Sequence, residues 1–193
     1  PILYVANIAG NNVTAYNIAS PNNVNGNIAP GANLDGGQTQ LNQPADIVVE
    51  AEGSLLVANA GGDSITSYPN ANDLTGINGN VAPDRNVQGP DTDFVLPVTL
   101  AIQTASDLLF VGDLTGNAIR VFADVSTTAF NGNLAPVRTI TSADIQGPIG
   151  INFGSGDTLY VANSAGAPRV AAFDNASTLN GNVAATRLIT SAA

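Results

Sequence analysis

The sequence has no cysteine, histidine, methionine or tryptophan, and its five cationic residues are all arginine. Each gap excludes something. Without cysteine no disulfide can staple the fold, and thiols give no reading of the redox compartment. With histidine, cysteine and lysine all missing, nucleophilic and general acid–base catalysis are poorly supported, because the usual bases and nucleophile partners are absent. Only two glutamates occur, Glu50 and Glu52. Charged residues are 10% of the chain, yet the net charge is −10. There is no basic patch to neutralise phosphates, which argues against nucleic acid and anionic membranes as partners. No apolar run approaches the roughly 20 residues that span a bilayer, so membrane insertion is not expected. The sequence starts at Pro1 without Met or a signal peptide, which reads as a processed, mature or trimmed chain.

What is present is a packed-fold composition. Hydrophobic residues make up 44% of the 193 positions and fall in short regular runs, which a disordered chain would not show. The length suits one domain with a real core. Asn, Gly, Ala and Thr occupy the surface that charge usually holds. Such an acidic, lysine-free surface suggests an extracellular or cell-surface location.

The chain is built on a repeat. Leu3-Tyr4-Val5-Ala6-Asn7, Leu55-Leu56-Val57-Ala58-Asn59, Leu109-Phe110-Val111-Gly112-Asp113 and Leu159-Tyr160-Val161-Ala162-Asn163 recur about every fifty residues, a period of propellers and solenoids. Other markers keep a fixed order around them. Pro44, Pro97 and Pro148 lead into a first strand, A: Ile47–Val49, Leu100–Ile102, Ile151–Phe153. Proline suits a strand's first residue, where its missing donor is harmless. The repeated Leu-Tyr-Val-Ala run is strand B. A Gly-rich turn (Gly10-Asn11-Asn12, Gly61-Gly62-Asp63, Gly116-Asn117, Gly166-Ala167-Pro168) leads to strand C, which ends in Tyr16, Tyr68, Phe122 or Phe173. An Asn-Gly-Asn triplet follows at Asn25, Asn78, Asn131 and Asn180, each preceded by Val24, Ile77, Phe130 or Leu179. It reads as the left-handed end of one helical turn, with the apolar residue plugging the sheet edge. Strand D is expected at Ile28–Pro30, Val81–Arg85, Leu134–Arg138 and Val183–Arg187, its prolines fitting an edge strand.

The fold expected is all-β: one β-propeller domain over 1–193, with four repeated four-stranded blades at about 1–40, 41–93, 94–144 and 145–193. The first blade lacks its inner strand, since strand A occurs only three times. Trimming, a longer propeller or a second chain would each account for it. A β-sandwich of unrelated hairpins and a β-solenoid are the competing architectures.

The Pro-x-x-(Ile/Leu) lead-in at Pro148, the Leu159–Asn163 strand and the Gly10–Tyr16 segment together resemble the NHL-repeat family of β-propellers. The resemblance covers nearly the whole chain and implies fold rather than activity. Members of that family include protein- and RNA-binding modules, cell-surface proteins and a few lyases. The lyases it brings to mind use histidine and metal in a central channel, and histidine is missing here. The repeats are also longer than the family's unit, by the Asn-Gly-Asn insertion.

Candidate sites follow from residue type. Asp91 and Asp93 form the densest local carboxylate pair, with Asp35 and Asp144 in equivalent connections. Calcium is the cation such hard oxygen donors suit, although turn initiation and solubility explain the same aspartates. Glu50 would face the channel from strand A, where Gln103 and Gly154 hold the equivalent positions. Arg85, Arg138 and Arg187 recur on strand D, with Ala32 in the first repeat; a salt link or edge protection explains them better than a ligand ring. The strand C aromatics read as core between blades rather than sugar platforms. The function expected is a non-catalytic structural or interaction module binding protein or glycan. Two alternatives stand beside it: a metal-assisted lyase or hydrolase using channel carboxylates, and a self-associating surface or matrix protein that forms homo-oligomers.

Overall fold

The computed structural model describes residues 1–20, 25–166 and 169–190, so Val24, Ala167, Pro168 and Ala193 lie outside the described residues. Sixteen strands in chain order build four sheets. Sheet 1 is β1 (Ile2–Asn7), β2 (Asn12–Asn17) and β3 (Ala32–Leu34). Sheet 2 is β4 (Pro44–Val49), β5 (Leu55–Asn59), β6 (Ser64–Tyr68) and β7 (Arg85–Gln88). Sheet 3 is β8 (Pro97–Gln103), β9 (Leu108–Asp113), β10 (Ala118–Ala123) and β11 (Arg138–Thr141), with β15 (Gly181–Asn182) added at its edge. Sheet 4 is β12 (Pro148–Phe153), β13 (Leu159–Asn163), β14 (Arg169–Phe173) and β16 (Arg187–Thr190). The fold is all-β, and helix among the described residues is limited to three-residue 3₁₀ turns such as Pro90–Thr92 and Ala176–Thr178. None of the described helices is long and apolar enough to cross a membrane.

Apart from the parallel edge strand β15, each sheet is an antiparallel meander in sequence order, and in sheets 2 to 4 the repeated Leu-x-Val strand follows the proline strand. The prolines begin their strands rather than precede them, and a bulge follows each: the register shifts between Pro44 and Asp46, Pro97 and Thr99, and Pro148 and Gly150. A missing donor and a skipped residue together keep this edge from pairing regularly. Sheet 1 has three strands and no proline strand, as the count of lead-in motifs implies.

The sheets stack face to face in sequence order, because both faces of the second strand are apolar. Leu55 and Val57 pack with Val13, Ala15 and Leu34 of sheet 1. Leu56 and Ala58 point the other way, to Leu109, Val111 and Phe122 of sheet 3. Phe110, Ile119 and Ile140 then meet Leu159, Val161 and Phe173 of sheet 4. This alternation is the period-2 geometry of a strand buried on both sides. The proline strands also touch in a row: Asp46 Oδ2 accepts the Leu100 amide at 2.7 Å, and Thr99 Oγ1 accepts the Ile151 amide at 3.1 Å. The row stays open, since Leu3 at one end and Ile189 at the other are exposed.

Two sequence expectations need correction. Strand D starts where it was expected to end: β7, β11 and β16 begin at Arg85, Arg138 and Arg187, and β3 at Ala32. The apolar residues before them (Val81, Leu134, Val183) are partly buried against the inter-sheet clusters instead. The Asn-Gly-Asn triplet, in turn, is a clip between sheets. Gly79 pairs in parallel with Leu34, Gly132 with Val87, and Gly181 with Ile140 of the preceding sheet. The first asparagine accepts a backbone amide of that sheet's last strand: Asn78 from Asn33 at 3.0 Å, Asn131 from Asn86 at 2.9 Å, Asn180 from Thr139 at 3.2 Å. The glycines sit at φ of +84°, +80° and +74°, a conformation that only glycine adopts freely. The plug was read correctly, with Ile77 and Phe130 buried just before their clips.

Candidate functional site

Glu50 is the residue whose environment departs furthest from its composition. It follows β4 directly, and a tight turn through Gly53 (φ +88°) returns the chain to β5. That turn points the Glu50 side chain into the wedge between sheets 2 and 3, where the residue is 4% exposed. Arg85, at the start of β7 and 5% exposed, meets it there. Its Nη2 donates to Glu50 Oε1 at 2.6 Å and to Ser67 Oγ at 2.8 Å. Its Nη1 donates to the backbone carbonyls of Val125 and, at 3.2 Å, Thr127 of the third repeat. The guanidinium therefore ties two sheets together. Among the described residues Glu50 Oε2 has no hydrogen-bond partner, and Glu50 lines a cavity of about 130 Å³ with Glu52, Thr104, Asp107 and Ser126. Burial pushes the Glu50 carboxyl up, Arg85 pulls it down, and the nearby Glu52 and Asp107 push it up again.

Two of the other groups around this cavity, Asp107 and Ser126, are committed to each other. Asp107 accepts the Ser126 amide with both oxygens (3.1 and 3.3 Å) and the Ser126 hydroxyl at 2.8 Å. The fourth repeat does the same with Asp157 and Ser177, at 3.1, 3.1 and 2.6 Å. A serine beside a carboxylate is here a turn lock that recurs, each carboxylate bonding the serine's backbone amide as well as its hydroxyl. Gln103, the counterpart of Glu50, spans sheets 3 and 4 by donating to Asp157 Oδ1 at 3.0 Å. Gly154 leaves room for the Tyr160 ring, 2.6 Å from where a Cβ would stand. The position thus serves as a tie between sheets twice and as a close approach once.

Asp91 and Asp93 flank the buried Thr92 at the lead-in to sheet 3 and turn in different directions. Asp91 Oδ2 accepts from Asn133 at 2.8 Å, part of the third repeat's clip. Asp93 takes φ +57° and its carboxylate lies 3.7 Å from Arg120. Asp144 lies 3.5 Å from Arg169, and the Asp35 amide donates to the Gly79 carbonyl. No group of three or more acidic side chains converges as a cation cage among the described residues.

The arginine row diverges in use. Arg187 closes on Asp174 with two 2.8 Å bonds at the solvent-facing end of sheet 4. This clasp, with help from Thr158, holds the Asp174 carboxyl down at about 2. Arg138 is half-buried, and its Nε and Nη2 find no partner among the described residues. The strand C aromatics Tyr68, Phe122 and Phe173 are buried, while Tyr16 is half-exposed because nothing covers sheet 1 on that side. Sequence reasoning missed the motif's last residue. Asn59 and Asn163 accept the amides of Asn42 and Gln146, and Asp113 those of Val95 and Leu96, so each holds the lead-in to its sheet. Their recurrence at the end of every copy was the available signal.

Tyr68 gives this interior a titration signature. Its hydroxyl donates to the Thr39 carbonyl, and burial lifts its ionisation to about 12. The folded state therefore keeps a proton that the unfolded chain releases near 10. Its contribution to stability is complete below that value and is lost as pH rises through about 12. Alkaline titration of the phenolate band should show a late step coincident with unfolding, absent in Tyr68→Phe. A Tyr68 step near the ordinary tyrosine value would show that the ring is open to water.

Comparison with known proteins adds fold and no more. No protein-family model matches the chain, so the NHL likeness rests on the motifs quoted above. No curated protein matches it. Among solved structures it is similar to the hydrazine synthase of Kuenenia stuttgartiensis, with a TM-score of 0.54 and 19% identity. The match covers 77% of this chain and 36% of that one, so the chain spans about a third of the length of that relative.

Proposed function

We propose that this chain is a non-catalytic β-propeller module of NHL-like type that acts outside the cell or at its surface by binding protein or glycan. One observation carries the reading: several of the polar side chains that could do chemistry are engaged in joining sheets and locking turns. Glu50 holds Arg85, Asp107 and Asp157 hold serine turns, and Asp113 holds a lead-in loop. Four stacked meanders, three of which run outward from a proline strand, support blades arranged radially about an axis. The lysine-free, acidic surface supports the location.

The test is a glycan array and a panel of matrix proteins, each with and without calcium and with chelator. Saturable binding that a cluster of substitutions on one loop face abolishes would support the proposal. Turnover of a glycoside or ester by homogeneous protein, lost on chelation, would overturn it in favour of a metal-assisted hydrolase or lyase.

A further inference from the structure

We propose that the outer face of sheet 4 is a docking surface for sheet 1 of a second copy of this chain, joined head to tail through the Asn25-Gly26-Asn27 turn. This deepens the interaction-module reading and rests on it, because it names a partner for the same stack of sheets.

The argument is continuity with an interface the chain already builds three times. At each internal junction the Leu-x-Val pair of the later sheet is wholly buried: Leu55 and Val57, Leu109 and Val111, Leu159 and Val161 are all 0% exposed. Their counterparts in sheet 1, Leu3 and Val5, are 46% and 37% exposed. The earlier sheet of each junction contributes an apolar residue from its last strand: Leu34, Val87 and Ile140, each 0% exposed. The counterpart in sheet 4, Ile189, is 58% exposed. Beside it lies an open groove of about 240 Å³ lined by Gly150, Ile151, Asn152, Tyr160, Ala162 and Val170. Repeat arrays that end in solution carry polar outer faces on their terminal units. Here both terminal faces repeat the apolar pattern of the interior.

The clip supplies the register. Gly26 sits at φ +79°, within a few degrees of the docked glycines Gly79, Gly132 and Gly181. The turn is thus already in docking form, and no described strand pairs with it. The strand that lacks a clip is β16, whose four residues are all exposed. Docked as the three internal clips are, Asn25 Oδ1 accepts the Leu188 amide, the Gly26 amide donates to the Leu188 carbonyl, and the Thr190 amide donates to the Gly26 carbonyl. Gly26 then stands opposite Ile189, as Gly79 stands opposite Leu34. The two halves lie on different faces, so the contact is heterologous and builds a ring or an open series of copies.

Two substitutions in open positions test this. Ile189→Asp charges the acceptor strand. Gly26→Val forces the donor turn out of the left-handed region, at a site with no atom within 4 Å of an added Cβ. Circular dichroism should match wild type for both. Light scattering and native mass spectrometry across a wide concentration range should show wild type growing in multiples of 19.4 kDa. Each variant alone should stay monomeric. An equimolar mixture of the two should give a dimer and nothing larger, because each variant keeps one intact half. A wild type that stays monomeric, variants that associate undiminished, or a mixture that stays monomeric would each overturn the proposal. A monomeric wild type would leave the non-catalytic reading standing. Substrate turnover by a protein that associates as described would overturn that reading and leave the docking surface.

Discussion

Replacing Arg85 with alanine is expected to cost about 3–5 kcal/mol of folding stability, because it strands a buried carboxylate. Among the described residues the Glu50 side chain has no other partner: Oε2 is unbonded, and Oε1 is bonded to Arg85. The guanidinium also satisfies the carbonyls of Val125 and Thr127, so its loss loosens sheet 3 from sheet 2. Urea unfolding monitored by far-ultraviolet circular dichroism reads the effect. The double change Glu50→Gln, Arg85→Met should recover much of it, since neither buried charge remains. The cost should also depend on pH in a stated direction. Burial already raises the Glu50 carboxyl, and removing Arg85 takes away the influence that lowers it. A raised folded-state value means the contribution is complete in acid and is lost as pH rises through it. The Arg85→Ala defect should therefore shrink as pH falls below the carboxylate range. A defect under about 1 kcal/mol, flat with pH, would mean the pair is hydrated like a surface ion pair.

Phe110→Ala should cost about 3–5 kcal/mol, the range for deleting a buried phenylalanine. Phe110 is fully buried at the middle of the junction between sheets 3 and 4, and its ring centroid lies 5.0 Å from that of Phe153 in an edge-on arrangement at 83°. Ile119, Ile140 and Val161 share its buried cluster, and strand pairing holds their backbones against closing the resulting hole. The same motif position in the last repeat is Tyr160, half-buried on the open face. Tyr160→Ala should cost about 1 kcal/mol or less in the monomer, as partly exposed positions do. Denaturant midpoints at low protein concentration compare the two. Equal costs would mean that the end face is covered within the chain.

The repeated Leu-x-Val strand was legible because its apolar run is continuous, as Leu55-Leu56-Val57-Ala58 is where both faces are filled. The proline strands were legible from their lead-in, and so was the three-stranded first sheet. Strand D was displaced by several residues because Val81-Ala82-Pro83 is apolar for packing, not for pairing. A run that plugs a cluster and a run that joins a ladder look alike until the partner is known. The clip was illegible for a different reason. Asn78 and Asn131 answer amides 45 residues away, and nothing in the triplet's own neighbourhood requires them. Glu50 was noticed for its rarity, but its partner 35 residues on was assigned to a separate row of arginines.

The clips all point one way: each repeat reaches back to the one before it and never forward. A chain emerging from synthesis amino end first would therefore finish each sheet only when the following repeat arrives to latch it. The earlier sheets are secured by later ones, and among the described residues no clip is docked on β16. Stability in such a linear array is shared between neighbours. Local opening should thus begin at an edge that no clip holds, and among the described strands the exposed β16 is such an edge.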